Sequence, residues 1–247
     1  MHTLKQRPSS HSSAGNRERS ILGDKATTVI LVRHGASTWN EVKRWQGQGD
    51  PPLGELGQSQ ARRVAERLRP EPITTLYASD LQRALETAQI IGQTLGLEPQ
   101  VEPRLRELDV GVWSGLTLEE IGERHPEQFK SWQNYEEIRP GGGELFAEMQ
   151  QRSVAALEEI IAAHPGETVC AVTHGGIVYA IRGHVLGLRM GAKMFRELPP
   201  NRNTALTIVR YQDGEAELLL IMDASHLDDE PVFECHGDGD GGDQRSG

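Results

Sequence analysis

Apolar residues along this 247-residue chain fall into two kinds of stretch. Short, β-branched runs read as buried strands: Thr27 to Val32, Ile73 to Ala78 and Glu167 to Thr173. Longer stretches carry apolar residues every three or four positions, the spacing of a helix with one buried face. Leu56, Ala61, Val64, Ala65 and Leu68 make one such face, stopped by Pro70 and Pro72. Leu81, Ala84, Leu85, Ala88 and Ile91 make a second. There Ser79-Asp80-Leu81-Gln82 reads as a capping box, and Gly92 and Gly96 bring the helix to its end. Phe146, Met149, Val154, Leu157, Ile160 and Ile161 predict a long amphipathic helix, and Gly175 to Leu186 a further one.

Weaker signals fill the gaps. Pro99 to Pro103 reads as a short edge strand, and residues 104–116 as irregular. Thr117-Leu118-Glu119-Glu120 is a second capping box, opening a short helix that His125-Pro126 breaks; another short helix then reaches Trp132. Thr204 to Arg210 and Glu215 to Met222 read as a hairpin turning at Gln212-Asp213-Gly214. The alternation predicts a single α/β domain over 26–227: three layers, α/β/α, around a mostly parallel sheet with an antiparallel edge. Residues 109–145, between the edge strand and the long helix, read as a lid over that sheet.

Composition narrows the function. Lys and Arg total 26 against 36 Asp and Glu, a formal charge of −10. That balance excludes a general nucleic-acid binder and a polybasic membrane face. No run of about 18 apolar residues is present, so no transmembrane helix is predicted. The charge is uneven. Residues 1–25 hold five cations against two acids and lack apolar periodicity, which predicts a disordered extension without a secretion signal. Residues 228–247 read as a disordered acidic tail. Cys170 sits in a buried strand and Cys235 in that tail, so no disulfide is expected and a cytoplasmic setting is favoured. The Cys235-His236 pair lacks the convergent ligands of a metal site.

In open α/β sheets ligands bind beyond the carboxyl ends of the strands. Those ends read Arg33-His34-Gly35, Ser79 to Arg83, Arg106-Glu107-Leu108-Asp109 and Thr173-His174-Gly175-Gly176. One histidine in such a place is commonly a cap. Two in equivalent places, with Arg33 and Arg83 near, suit a phosphoryl group, because guanidinium presents a rigid fork to phosphate oxygens. Backbone N–H groups of glycine-opened helices after the first and third strands would add fixed positive dipoles. A neutral imidazole is available as a nucleophile, and a carboxylic acid could protonate a departing alkoxide.

These residues resemble the Arg-His-Gly signature of the histidine phosphatase superfamily, also called phosphoglycerate-mutase-like. The likeness runs from Arg33-His34-Gly35-Ala36-Ser37-Thr38-Trp39-Asn40 through Gln46-Gly47, Asp50 to Leu53, Leu56 to Ala61, and Ser79 to Ala88. It continues through Arg106 to Gly115, Pro140 to Glu144 and Val172 to Gly176, and ends at Asp223 to Leu227. Ala36 departs from it, since many members carry Glu or Gln there. The resemblance implies that His34 becomes a phosphohistidine and that Arg33, Arg83 and His174 surround the phosphoryl oxygens. Asn40 and the Gly175 N–H would add donors. Glu107 would protonate the leaving oxygen and then activate water. Ser37, Gln46 and Gly47 would line the pocket mouth. No metal or other cofactor is implied; the partner is a small phosphorylated metabolite, and the chain would be a monomer or a homodimer.

Mutases of that superfamily carry, after the acid, a Tyr, then a Lys, then an Arg pair following a Trp, which grip the substrate carboxylate. The matching places here hold Val110, Leu118, and Gln133-Asn134 after Trp132. Hydrolysis, with water as acceptor, is therefore expected over phosphoglycerate mutase activity or phospholigand binding without turnover. Trp113, Phe129, Trp132 and Tyr135 are read mainly as lid core rather than substrate stackers.

Overall fold

A computed structural model describes residues 26–191 and 201–228. The extension 1–25, most of the acidic tail and the Cys235-His236 pair lie outside the described residues.

In chain order, β1 spans Thr27–Arg33, α1 Thr38–Glu41, α2 Glu55–Leu68, β2 Ile73–Ala78, α3 Gln82–Leu95 and β3 Gln100–Val101. Two 3-10 turns follow at Pro103–Leu105 and Gly111–Trp113, then α4 Leu118–Arg124 and α5 Pro126–Gln133. A third turn, Pro140–Gly142, leads to α6 Phe146–Ala163, β4 Thr168–Thr173 and α7 Gly175–Val185. The hairpin β5 Leu206–Gln212 and β6 Glu215–Asp223 closes the order, with a last turn at Ser225–Leu227. Each expected strand and helix with stated bounds appears within a few residues of them.

The six strands form one sheet in the order β3-β2-β4-β1-β5-β6. β3, β2, β4 and β1 run parallel, and β5 joins β1 antiparallel. Alternate residues of the central strands feed two cores. Val29, Leu31 and Ala171 pack with α6 and α7, while Ile30, Val32, Cys170 and Val172 pack with α2 and α3. Burial pushes the Cys170 thiol up to about 12, so it stays protonated. The hairpin turns at Asp213 and Gly214, both left-handed with φ of 52° and 84°. Edge strand β6 has two register shifts opposite Leu206–Val209, bulges that interrupt a continuous exposed ladder.

One expected cap is corrected. Ser79-x-x-Gln82 does not cap α3: the N-cap is Leu81, with no side-chain cap bond. The Ser79 hydroxyl lies 2.9 Å from His174 Nε2 instead, and the Gln82 N–H donates to Asp50 Oδ1 at 2.5 Å. By contrast Thr117 and Glu120 do form a reciprocal box at α4.

Buried residues of 109–145 join the core that α6 and α7 make with the sheet. Trp113 and Trp132 are fully buried and flank Trp45, and Phe129 packs on both of them. The Trp45 ring centroid lies 5.4 Å from that of Trp113 and 5.2 Å from that of Trp132, in tilted and edge-on contacts that favour aromatic pairs. Tyr135 is exposed and outside this cluster. Trp45 comes from the long loop after β1, so the cluster ties that loop to the inserted segment.

Candidate active site

The register of β1 on β4 pairs Arg33 with Thr173, so His34 and His174 leave the sheet side by side. Their ring centroids are 5.1 Å apart with planes at 57°. β4 lies between β1 and β2, and β2 pairs Ala78 with Val172, which brings Ser79 level with His174. Three parallel strands thus end at one place, where the open sheet leaves a crevice.

Two partners set the protonation of His34. Its Nδ1 lies 2.7 Å from the Gly35 carbonyl, which can only accept, so Nδ1 carries the hydrogen. Its Nε2 receives Arg83 Nε at 3.2 Å, which can only donate, so Nε2 holds the lone pair. Both contacts demand the same neutral tautomer. Burial, reinforced by Arg83 and Arg33, holds this imidazole well below its ordinary range. His174 is lowered likewise, by burial and then by Arg83 and His34. His174 Nδ1 is buried and has no hydrogen-bond partner among the described residues. If Ser79 Oγ–H donates to Nε2, Nδ1–H is the donor left for an incoming oxygen.

Arg83, fully buried in the first turn of α3, spends NH1 on the Gly49 carbonyl at 2.7 Å and NH2 on that of Gly47 at 2.8 Å. It therefore fixes the loop at Gly47 and Gly49 and the His34 ring together. Arg33 is also buried, and its NH1 donates to the Asn201 carbonyl.

The segment after β1 corrects one expectation. It offers no glycine-opened helix: the Gly35 N–H goes to Thr87 Oγ1 and the Ala36 N–H to Gln60 Oε1, both at 3.0 Å. α1 begins only at Thr38, five residues after the end of β1, and is capped by Ser37. The Ser37 hydroxyl meets Gln46 Oε1 at 2.7 Å and Asn40 Oδ1 at 3.2 Å. Ser37, Asn40 and Gln46 form one buried network, which leaves the amide NH2 groups of Asn40 and Gln46 as its remaining side-chain donors. The glycine-opened helix after β4 does exist, with His174 as N-cap and Gly175 first.

Glu107 reaches this place from the irregular segment after β3. Its Oε2 accepts the Gly176 N–H at 3.0 Å and its Oε1 the Leu108 N–H at 2.8 Å. Beside it Arg106 forms a two-pronged ion pair with Asp80, which lowers the Asp80 carboxyl.

Several contributors are not among the residues singled out from sequence. The Asn203 amide donates to the His34 carbonyl at 2.9 Å, and the Thr204 N–H to the Arg33 carbonyl at 3.0 Å. Thr204 Oγ1 in turn meets His226 Nε2 at 3.0 Å. Because β5 runs antiparallel to β1, its start lies behind the end of β1. The antiparallel hairpin was the one signal that could have pointed to 201–204. The other described histidines lie elsewhere: His125 and His164 at helix ends, and His184 exposed on α7. Among the described residues no cluster of three or more His, Cys, Asp or Glu is placed to hold a metal ion. No helix among them is long and apolar enough to cross a membrane.

The chain is similar to known proteins over nearly all the described residues. It is 38% identical over 221 residues to a metal-independent phosphoserine phosphatase of Arabidopsis thaliana, covering 87% of this chain and 90% of that one. It is 41% identical over 188 residues to a probable phosphoglycerate mutase of Photorhabdus laumondii, covering 74% and 85% respectively. A mycobacterial glucosyl-3-phosphoglycerate phosphatase, solved with VO3, superposes with a TM-score of 0.72 at 31% identity, over 80% of this chain and 99% of its own. The family profile described as Histidine phosphatase superfamily (branch 1) matches residues 29–224, and with strand ends, histidine pair and register in agreement, this chain belongs to that superfamily.

Proposed function

We propose that this protein hydrolyses small phosphomonoesters in two steps through a phosphohistidine at His34 Nε2. One observation carries the reading: Gly35 and Arg83 hold His34 in a single neutral tautomer whose lone pair faces the cationic side of the site. Nε2 attacks phosphorus as the ester oxygen leaves, taking a proton from Glu107. The Glu107 carboxylate then accepts a proton from water, which attacks phosphorus, breaks the P–N bond and releases phosphate. The proton returns to Glu107 and the imidazole is restored, so each turnover balances. Arg33, Arg83, the His174 Nδ1–H, the Asn40 amide and the Gly175 N–H serve the phosphoryl oxygens. They do so in a buried setting where fixed donors act strongly. Ser37, Gln46 and Gly47 form the mouth through the network with Arg83.

Residues 109–145 act as a lid over that mouth. Support comes from Ser114 Oγ donating to the Gln46 carbonyl at 2.9 Å and from Val110, whose methyl a Cβ on Gly47 would meet at 2.5 Å. Val110 is buried, and Gln133 and Asn134 are exposed and uncharged. That favours water over a second phosphoglycerate as acceptor.

Phosphoserine, named for the plant relative, is the first substrate to try. Phosphate release from p-nitrophenyl phosphate and phosphoserine in EDTA, abolished in His34→Ala, is the expected result. A requirement for divalent metal, survival of activity in that variant, binding without release, or isomerisation of 3-phosphoglycerate dependent on its bisphosphate would each overturn the reading.

A further inference from the structure

The segment bearing Glu107 is irregular from Arg106 to Val110, after the single 3-10 turn Pro103–Leu105. The carbonyls of Arg104, Arg106 and Glu107 lie outside any α-helix or strand ladder, and a buried carbonyl without a donor is costly. Arg152 on α6 supplies those donors. Its NH1 donates to the carbonyls of Arg104 and Arg106, both at 2.7 Å, and its NH2 to that of Glu107 at 2.9 Å. The Glu144 carboxylate takes the other two: Nε at 2.7 Å and NH2 at 2.8 Å. All five N–H groups of one guanidinium are thereby spent. Glu144 is itself bound to the same segment, its N–H donating to the Asp109 carbonyl at 2.9 Å. Arg106 meanwhile anchors the outer side of the segment on Asp80.

We propose that Arg152, held by Glu144, is a positioning residue that sets the reach of the Glu107 carboxyl toward the leaving oxygen. It rests on the proton-donor reading of Glu107. The Glu107 carboxylate is joined to α7 by the Gly176 N–H. Its backbone is joined to α6 by Arg152. The acid is thus held at both ends, and a misplacement of about 1 Å costs roughly 10²-fold in a positioned reaction. Lysine cannot replace this arginine, because a compact ammonium offers three donors and no planar fork.

Leaving-group dependence separates positioning from mere stability. A p-nitrophenolate departs without protonation, whereas an alkoxide needs the acid. The ratio kcat/KM reports only steps through departure of the alcohol, so later hydrolysis of phosphohistidine does not obscure it. In Arg152→Lys and in Glu144→Gln, kcat/KM for phosphoserine or another active alkyl phosphate should fall about 10-fold or more. For p-nitrophenyl phosphate it should fall less than about 3-fold. Placed on Glu107→Gln, the Arg152→Lys change should cost nothing further for the alkyl ester, since the acid it positions is gone. Equal losses on both substrates, multiplicative losses with Glu107→Gln, or loss of folding in both single variants would overturn the proposal. Failure of the hydrolytic reading has a different sign, namely activity that survives His34→Ala.

Discussion

Gly176 and Glu107 meet without room for another atom. The Gly176 N–H donates to Glu107 Oε2 at 3.0 Å, and a Cβ on Gly176 would lie 2.2 Å from Oε1. The obstructed atom is the tip of a flexible side chain, so alanine there should move the acid rather than unfold the helix. Gly176→Ala is expected to lower kcat/KM for an alkyl phosphate by about 10²-fold, at the lower end of what a positioned acid contributes. Its thermal midpoint should stay within about 4 °C of the parent. A variant that keeps full activity would show that the contact does not matter.

Gly57 presents the opposite case. A Cβ there would lie 2.0 Å from the Ala36 carbonyl oxygen and 2.7 Å from the Ala36 nitrogen. Both are backbone atoms, pinned by Gly54 N–H and Gln60 Oε1. Helix propensity alone would favour alanine by about 0.5–1 kcal/mol. Overpacking against unyielding backbone costs about 1–3 kcal/mol, so the clash should win. Gly57→Ala is expected to lower Tm by roughly 2–6 °C, read by circular dichroism. An unchanged or higher midpoint would mean that the loop after β1 yields more readily than its hydrogen bonds imply.

Both site imidazoles are lowered by burial and by neighbouring arginines. In the unfolded chain they titrate near 6.5 and take up protons that the folded state refuses. Their linkage therefore leaves stability intact above that pH and removes it as pH falls below it. Tm should decline between pH 7 and 5, before Asp80, which is lowered from an already acidic value, begins to titrate. Replacing His34 or His174 with Gln should flatten that slope. A slope identical to the parent's in both variants would place the linkage on other groups.

Arg83 touches His34, Gly47 and Gly49 from one guanidinium. Arg83→Lys loses the fork and with it the hold on the mouth loop. A drop in kcat of about 10²–10³-fold is expected, as for removal of one donor to developing charge. Steady-state rates on p-nitrophenyl phosphate check this, and a loss confined to KM would argue that Arg83 only binds substrate.

Much of the site is legible in the sequence because its chemistry sits in short local strings. Arg33-His34-Gly35 and Thr173-His174-Gly175-Gly176 each follow a β-branched run, and period alone puts them at strand ends. Trp113, Phe129 and Trp132 are readable as core and Tyr135 is not core but exposed, whereas Trp45, which Trp113 and Trp132 flank, is not readable at all. Its loop carries no periodicity to assign it to anything. The Ser79 capping box is readable and misleading. A propensity worth about 1 kcal/mol yielded to a buried histidine that needed an oxygen partner.

Sequence by itself determined which segments are strands and helices, and which histidines, arginines and acid stand at strand ends. Tertiary structure alone decided that β4 lies between β1 and β2, so that Ser79, His174 and His34 share one crevice. It alone turned the start of β5 behind His34, bringing Asn203 to a residue 169 positions away. It alone laid Arg152 across the backbone of the Glu107 segment. The reason is physical. Hydrophobic period and cap chemistry act over a few neighbouring residues, whereas backbone carbonyls in irregular segments are satisfied by whichever donor the packed layers bring to them.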